Sequence, residues 1–171
     1  MITDRLVLEP LSENEAHFIL ELLNTEGWIK YIGNRNIGSE MDARAYIDPI
    51  NNTAGIDYWV AKQKADRNPI GLVTLMQRDY LEFKDIGFAF LPDFTGKGYA
   101  YEATREVLMD LMANGRINVI LAITQRENVA SVRLIKRLGL KFERTVSWDD
   151  RELDVYRASK KMLRIALCAN G

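Results

Sequence analysis

A glycine-rich turn near the middle of the chain has the residue types that bind phosphate groups. The strand-like run 85–91 leads through Pro92 into Thr95-Gly96-Lys97-Gly98-Tyr99-Ala100, which opens a helix. Glycines let main-chain N–H groups approach an anion without a Cβ atom in the way, and a helix N-terminus adds roughly half a positive charge. Lys97 can contribute a full charge. The turn therefore predicts a phosphate site at the end of the strand.

Two familiar nucleotide motifs fit this turn poorly. Lys97 is followed by Gly98 rather than by the Ser or Thr of a P-loop, and the third glycine of a dinucleotide fingerprint is missing. A Gly-x-Gly segment can also serve only to shape a tight loop. An ATP-binding enzyme that uses the same turn stays open as an alternative.

A second polar group frames the short helix predicted over 129–138. Asn128 precedes this helix and Gly139 follows it, which is the pattern of an N-cap and of a C-terminal glycine stop. Ser131 falls in the first turn, where the local dipole favours nearby negative charge, although a serine is common there for local reasons. Lys136 either faces a phosphate group or is simply solvated. The segment predicts a capped helix whose first turn can also face a ligand.

Alternation along the strand 85–91 predicts free space above one face of the sheet. One face carries Ile86, Phe88 and Phe90, and the other carries Asp85, Gly87 and Ala89. Small residues on the second face leave room for a ligand that passes close to the main chain.

Composition favours a small partner over a polymer. The 171 residues fit one domain, 1–171, and the formal net charge of −1 gives no positive field for nucleic acid or an anionic membrane. Cys168 is the only cysteine and His17 the only histidine, so we expect no disulfide, no metal site and a cytoplasmic setting. The first residues lack the pattern of an export signal, and no window approaches the roughly 20 apolar residues that span a bilayer.

The elements that must position these residues follow from hydrophobic periodicity. Strands are predicted near 6–8, 58–64, 70–77, 82–91, 117–124, 140–147 and 153–159, and helices over 13–24, 99–114, 129–138 and from Ser39 to before Pro49. The order strand, helix, strand, helix in the second half implies a parallel pair. The predicted fold class is α/β (α+β): a mixed, mostly antiparallel central sheet with a parallel pair at its middle and helices on both faces.

Motifs along most of the chain resemble one enzyme family. The segment 95–103 is similar to the pyrophosphate-binding segment of GCN5-related N-acetyltransferases (GNAT), especially of their RimJ/RimL-type branch. The likeness extends to Arg5-Leu6-Val7-Leu8-Glu9-Pro10-Leu11, Tyr31-Ile32-Gly33, Ile70-Gly71, Asn128-Val129-Ala130-Ser131 and Lys136-Arg137-Leu138-Gly139-Leu140. The resemblance implies the acyl-CoA N-acyltransferase fold and transfer of an acetyl group from acetyl-CoA, without a metal, to a primary amine in a ternary complex.

The resemblance also assigns roles by position. The diphosphate of CoA would contact Thr95, Gly96, Lys97, Gly98, Tyr99 and Ala100, the pantetheine arm would contact Asn128 and the main chain of Phe88 and Phe90, and Lys136 would face the nucleotide phosphates. Ser131 would donate a proton to the departing thiolate. The family usually has Arg, Gln or Trp where Thr95 stands, which affects one side-chain contact but not the amides of the loop.

The acceptor side of the reaction needs a base and a binding surface. A lysine-like amine with a pKa of about 10 must lose a proton before it attacks, and Asp85 is the first candidate for that base, with a solvated charge as the alternative. Trp28, Tyr31, Glu152 and Tyr156 are the candidate substrate contacts, although aromatic residues in the segment 26–50 can instead form a satellite core.

The sequence leaves the acceptor open among a protein N-terminus, a polyamine, an amino acid and an aminoglycoside. Dimers are common in the family, so the resemblance also admits a homodimer. The alternative from another functional class is a CoA-binding sensor or interaction module without transferase activity.

Overall fold

A seven-stranded mixed sheet organises the protein in the computed structural model, which describes residues 1–149 and 151–169. The strands are β1 Leu6–Pro10, β2 Ile56–Gln63, β3 Pro69–Met76, β4 Asp85–Phe90, β5 Val119–Thr124, β6 Lys141–Trp148 and β7 Arg151–Ser159. The helices are α1 Ala16–Leu23, α2 Glu26–Tyr31, α3 Glu40–Asn52, α4 Tyr99–Ala113, α5 Val129–Arg137 and α6 Lys160–Ala169. Short 3₁₀ turns, Glu13–Glu15 and Pro92–Phe94, precede α1 and α4.

The order of strands across the sheet is β1-β2-β3-β4-β5-β7-β6, and only β4 and β5 run parallel. This arrangement confirms the predicted mixed sheet with its central parallel pair. Asp85 and Leu121 form the single register pair between β4 and β5 in the described part of the chain. Toward Phe90 and Thr124 the two strands are no longer paired, so they part and leave a cleft between their carboxyl ends.

Helices cover both faces of the sheet, as predicted. Against one face pack Val107, Leu108 and Leu111 of α4, Ile135 of α5 and Leu163 and Leu167 of α6. Against the other pack Ile19, Leu22 and Leu23 of α1 and Ala43 and Ile47 of α3. Each fully buried Leu or Ile stabilises the fold by about 1.5–3 kcal/mol relative to exposure. These two layers hold β4 and β5 rigidly on either side of the cleft.

The helix over residues 40–52 is longer than predicted, because Pro49 does not end it. Proline removes one N–H donor and disfavours the helical conformation of the residue before it. The N–H that Pro49 lacks would bond the carbonyl oxygen of Ala45, and Ala45 is exposed, so water can replace that donor. Beyond the proline, side chains close the last turn: the Asn52 side chain donates to the Asp48 carbonyl oxygen at 2.9 Å, and the Thr53 hydroxyl donates to the Pro49 carbonyl oxygen at 2.6 Å.

Two helices are present that periodicity did not predict. The six-residue α2 lies between the helices predicted over 13–24 and from Ser39, and its N-cap Thr25 accepts a hydrogen bond from the Trp28 N–H at 3.3 Å. The C-terminal α6 follows β7 directly and buries Leu163 and Leu167. Among the described residues, no helix is both long and apolar enough to cross a membrane.

Candidate active site

The turn between β4 and α4 has the open conformation that the sequence predicts. Gly96 and Gly98 have φ angles of +71° and +85°, in the left-handed region that favours glycine. Gly98 is the N-cap of α4, and no side chain caps that helix. A Cβ atom built on Gly96 would meet nothing within 4 Å, so the turn is accessible from outside.

The main-chain N–H groups of this turn are available to a ligand. Within residues 1–149 and 151–169, no protein acceptor pairs with the N–H groups of the five residues from Gly96 to Ala100. The first hydrogen bond from this region belongs to Glu102, whose N–H donates to the Gly98 carbonyl oxygen at 3.0 Å. Unpaired amides at a helix start, next to the exposed Lys97 side chain, fit a diphosphate.

Thr95 differs from the residues that follow it in the turn, and its predicted contact with a diphosphate stays a prediction. Its N–H and its hydroxyl group both donate to the Pro92 carbonyl oxygen, at 3.1 and 2.8 Å. Thr95 therefore closes the turn on itself and keeps no free donor, so the set of available amides begins at Gly96.

The strand that leads into the turn presents its two faces as predicted. Phe88 and Phe90 pack toward the α4 side of the sheet, and Ala89 packs toward the α1 and α3 side. The Phe90 ring lies directly on Gly71 of β3, since a Cβ atom there would fall 2.2 Å from the ring. This packing places the Phe90 side chain over β3, away from β5.

The start of α5 forms the other side of the cleft. Asn128 is its N-cap, as predicted, and the side-chain oxygen accepts a hydrogen bond from the Ser131 N–H at 3.2 Å. The half-buried Ser131 side chain lies in the first turn, whereas Lys136 is exposed in the last turn. Gly139 follows the helix with φ +96°. A Cβ atom at Gly139 would meet the Ala166 Cβ at 2.5 Å, so this position also lets α6 approach closely.

Asp85 is buried and paired with Arg78, a partner that the sequence did not predict. Its side chain is 2 % exposed, and its two oxygens accept hydrogen bonds from Arg78 Nε at 2.8 Å and from Arg78 Nη2 at 3.3 Å. Burial raises the pKa of Asp85, and the Arg78 guanidinium opposes that shift only in part. The carboxyl group lies where β4 and β5 part, but Arg78 already occupies both of its oxygens.

A polar pocket of about 250 Å³ lies beside the end of β5 and the hairpin of β6 and β7. It is lined by Gln125, Arg126, Glu127, Arg151, Glu152 and Asp154. Arg126 donates to both oxygens of the buried Asp154, at 3.1 and 3.2 Å, and this pairing lowers the pKa of Asp154. Of the four predicted substrate contacts, Glu152 lines this pocket.

The three aromatic candidates have different surroundings. Trp28 is buried in the core beneath α1 and α3, and Tyr156 is 3 % exposed, with its ring edge-to-face on Phe142 at 5.9 Å. Both side chains therefore pack largely inside the protein, and their contact with a substrate stays a prediction. Tyr31 is half-buried at the margin of the pocket, where its carbonyl oxygen accepts a hydrogen bond from Gln125 at 3.4 Å.

Three arginines of this region form ion pairs that the sequence did not predict: Arg5, Arg78 and Arg126. Each one pairs with an acid that is distant in sequence or follows an intervening loop, so neither periodicity nor motif spacing identifies the pairs. His17 lies on α1 with its ring exposed and 3.2 Å from Glu40.

Comparisons with known proteins agree with this geometry. Residues 5–141 match the family described as "Acetyltransferase (GNAT) domain". The chain therefore belongs to the GNAT family and is an acetyl-CoA-dependent N-acetyltransferase. The branch within the family stays a prediction.

The chain is 26 % identical to "Uncharacterized N-acetyltransferase YnaD" of Bacillus subtilis over 141 residues, which is 82 % of each protein. Its fold is similar to that of spermidine N-acetyltransferase from Vibrio cholerae in complex with CoA and spermine, with a TM-score of 0.79, 18 % identity, and coverage of 95 % of this chain and 99 % of the other. It is also similar to that of the aminoglycoside acetyltransferase AAC(6')-Ib in complex with coenzyme A, with a TM-score of 0.79, 16 % identity, and coverage of 94 % and 98 %.

Proposed function

We propose that the cleft between β4 and β5 binds acetyl-CoA and an amine together, and that the amine attacks the thioester directly. The observation that carries this proposal is the run of unpaired N–H groups from Gly96 to Ala100 at the start of α4. These groups, with Lys97, suit the CoA diphosphate, and the parted strands leave a main-chain edge along which pantetheine can lie. Acetyl-CoA supplies the activated acetyl group, since the bond from its carbonyl carbon to sulfur breaks as the bond to nitrogen forms.

The chain's own residues would divide the remaining work between the two sides of the cleft. The edge of β4 near Phe88 offers a main-chain N–H to the carbonyl oxygen, and such a donor lowers the barrier by about 3 kcal/mol. Ser131 is the proposed proton donor to the leaving thiolate, and Asn128 the proposed contact to pantetheine. Lys136 is proposed to reach the nucleotide phosphates from the exposed side of α5.

The acceptor is proposed to enter beside the polar pocket that contains Glu152. One similar fold is that of a spermidine N-acetyltransferase in complex with CoA and spermine, and another is that of an aminoglycoside acetyltransferase. The pocket of this chain mixes arginines and carboxylates, which suits an acceptor with both polar and charged groups. The proposed acceptors are therefore small polyamines and aminoglycosides, in addition to protein N-termini and amino acids.

The decisive experiment is a turnover screen with acetyl-CoA against N-terminal peptides, polyamines, amino acids and aminoglycosides, together with titration of CoA by calorimetry. We expect CoA binding and turnover of at least one amine class. Displacement of CoA by ATP at comparable affinity would contradict the proposal.

One observation favours a second candidate, a CoA-binding sensor without transferase activity. Both oxygens of Asp85 accept hydrogen bonds from Arg78, so the first candidate base is already engaged. Tight CoA binding without turnover of any amine would favour the sensor.

Asp85→Asn tests whether that carboxyl group is the base. If it is, the variant depends on the small fraction of amine that is already neutral, and its pH–rate profile moves to higher pH. Asp57→Asn is the control, because Asp57 also pairs with an arginine, Arg116 at 2.6 Å, on a different strand. A profile with full rate and no shift in Asp85→Asn excludes the base role.

A further inference from the structure

Arg5 lies just before β1, yet its side chain reaches the turn that precedes α4. Its Nη1 donates to the Lys97 carbonyl oxygen at 3.0 Å, and its guanidinium stacks on the Tyr99 ring, 4.2 Å from the ring centre. A Cβ atom on Gly98 would come within 3.3 Å of Arg5 Nη2. One side chain therefore contacts three consecutive residues of the turn.

The Lys97 contact has a consequence for the next amide. The C=O of Lys97 and the N–H of Gly98 belong to one planar, trans peptide unit, so they point in opposite directions. Because Arg5 holds that carbonyl oxygen on its own side, the Gly98 N–H is directed away from the arginine. Without this contact the Lys97–Gly98 peptide unit could rotate about ψ of Lys97 and φ of Gly98, since glycine adopts many conformations.

Arg5 also neutralises Glu102, an acid that lies next to the proposed anion site. Glu102 is in the first turn of α4, and its carboxylate accepts hydrogen bonds from Arg5 Nε at 2.7 Å, from the Arg5 main-chain N–H at 2.9 Å and from the Thr3 hydroxyl at 2.5 Å. Although burial raises the pKa of Glu102, the bonds from Thr3 and Arg5 outweigh it and hold that pKa below its usual value. An unscreened carboxylate there would repel a diphosphate.

We propose that Arg5 is a positioning residue of the diphosphate site: it fixes the Lys97–Gly98 peptide unit so that the Gly98 N–H is presented to the ligand, and it cancels the charge of Glu102. The inference rests on the proposed function, because it assigns a role within the same site. The role belongs to the diphosphate end alone and leaves the reacting thioester untouched.

Arg5→Gln is the direct test, and Arg44→Gln is a closely matched control. Arg5 and Arg44 are 45 % and 47 % exposed, and each pairs with one glutamate and one main-chain carbonyl oxygen, Arg44 with Glu40 and Glu13. We expect Arg5→Gln to raise the Kd for CoA and the KM for acetyl-CoA roughly tenfold, because the variant loses a charge-assisted hydrogen bond. We expect kcat to be unchanged. Arg44→Gln should match the wild type.

A donor without the diphosphate separates positioning from general damage to the fold. With acetyl-pantetheine as the donor, we expect Arg5→Gln and the wild type to have equal kcat/KM. Unchanged CoA affinity in a folded Arg5→Gln variant, or an equal loss with both donors, overturns the inference while the proposed function stands. Absence of CoA binding in the wild type removes both.

If Arg5→Gln does not fold, Arg5→Lys serves instead. Lysine keeps the charge but lacks the planar fork that contacts Lys97 and Glu102 together. We expect Arg5→Lys to bind CoA more weakly than the wild type does, because the charge is kept but the fork is lost. An affinity equal to that of the wild type would show that the fork does not orient the turn.

Discussion

Two helices begin on opposite sides of the same cleft, and their starts are built differently. At α5 the side chain of Asn128 occupies the Ser131 N–H, so protein satisfies part of the helix start. At α4 the N-cap is Gly98, no side chain caps the helix, and the N–H groups from Gly96 to Ala100 have no partner in the described residues. Both starts are held by an arginine: Arg126 pairs with Asp154 before α5, and Arg5 pairs with Glu102 at α4.

The difference shows how a fold separates stability from binding. A capped helix start contributes to the free energy of unfolding but has fewer donors left for a ligand. An uncapped start keeps its donors, and the geometry must then come from elsewhere, here from glycines and from Arg5. Substitutions at α4 should therefore change ligand affinity, and substitutions at α5 should change stability or turnover.

The largest expected effect is that of Gly98→Val. Valine at φ +85° is strained, and its side chain would displace Arg5, so we expect CoA to bind on the order of 100-fold more weakly. Gly115→Val is the matched control, because Gly115 also has a positive φ, +66°, but lies at the far end of α4 with nothing within 4 Å of a Cβ atom. Calorimetric titration of both variants checks this. Equal CoA affinity in the two folded variants would count against the amide site.

Ser131→Ala should lower turnover roughly tenfold and leave the Kd for CoA unchanged. The expected factor is modest because a thiol of pKa near 8.5 is a good leaving group and gains little from a proton donor. Steady-state kinetics with acetyl-CoA measure it, with Ser147→Ala on the exposed strand β6 as the control. Equal kcat in the wild type and Ser131→Ala would remove Ser131 as the acid.

Asn128→Ala should lower the free energy of unfolding by about 1 kcal/mol, because the Ser131 N–H loses its cap. Asn128→Ser should recover most of that loss, since serine is a comparable cap. Urea denaturation of the three proteins gives the comparison. A stable Asn128→Ala variant with weakened CoA binding would instead assign Asn128 chiefly to the ligand.

The smallest expected effect concerns Asp154 and is confined to acid. The hydrogen bond from Arg126 holds the pKa of Asp154 below its ordinary value of 3.8, so the ionised form stabilises the fold. That stability is present above pH 3.8 and is lost as the pH falls through the lower pKa of the folded state. The wild type should therefore exceed Asp154→Asn in stability at pH 5, and the difference should shrink below pH 3.8. Denaturation at a series of pH values tests this, and a constant difference would contradict it.

Local patterns were sufficient to predict most of the architecture. Alternation along 85–91 predicted the two faces of the central strand, and hydrophobic periodicity predicted the helix behind it; both are present. Asn128 and Gly139 bound α5 as predicted. These features depend on residues within a few positions of one another.

Features that depend on distant contacts were missed. The prediction that α3 ends before Pro49 was wrong, because the helix continues past the proline and side chains of Asn52 and Thr53 close its last turn instead. Trp28 and Tyr156 are aromatic residues of a type that often contacts substrates, and only tertiary packing shows that they are buried. The partner of Arg5 is 97 residues away, which no motif spacing records.

The parted strands have a consequence for folding as well as for binding. In most sheets each inner strand forms hydrogen bonds with a strand on both sides. Here the edge of β4 that faces β5 is paired only at Asp85 and is unpaired along most of its length. Any molecule that completes that edge in the native state, and not in the unfolded chain, raises the melting temperature by an amount that grows with the logarithm of its concentration relative to its Kd. The abundance of such a molecule in the cell would then govern how long the polypeptide survives, quite apart from how fast it works.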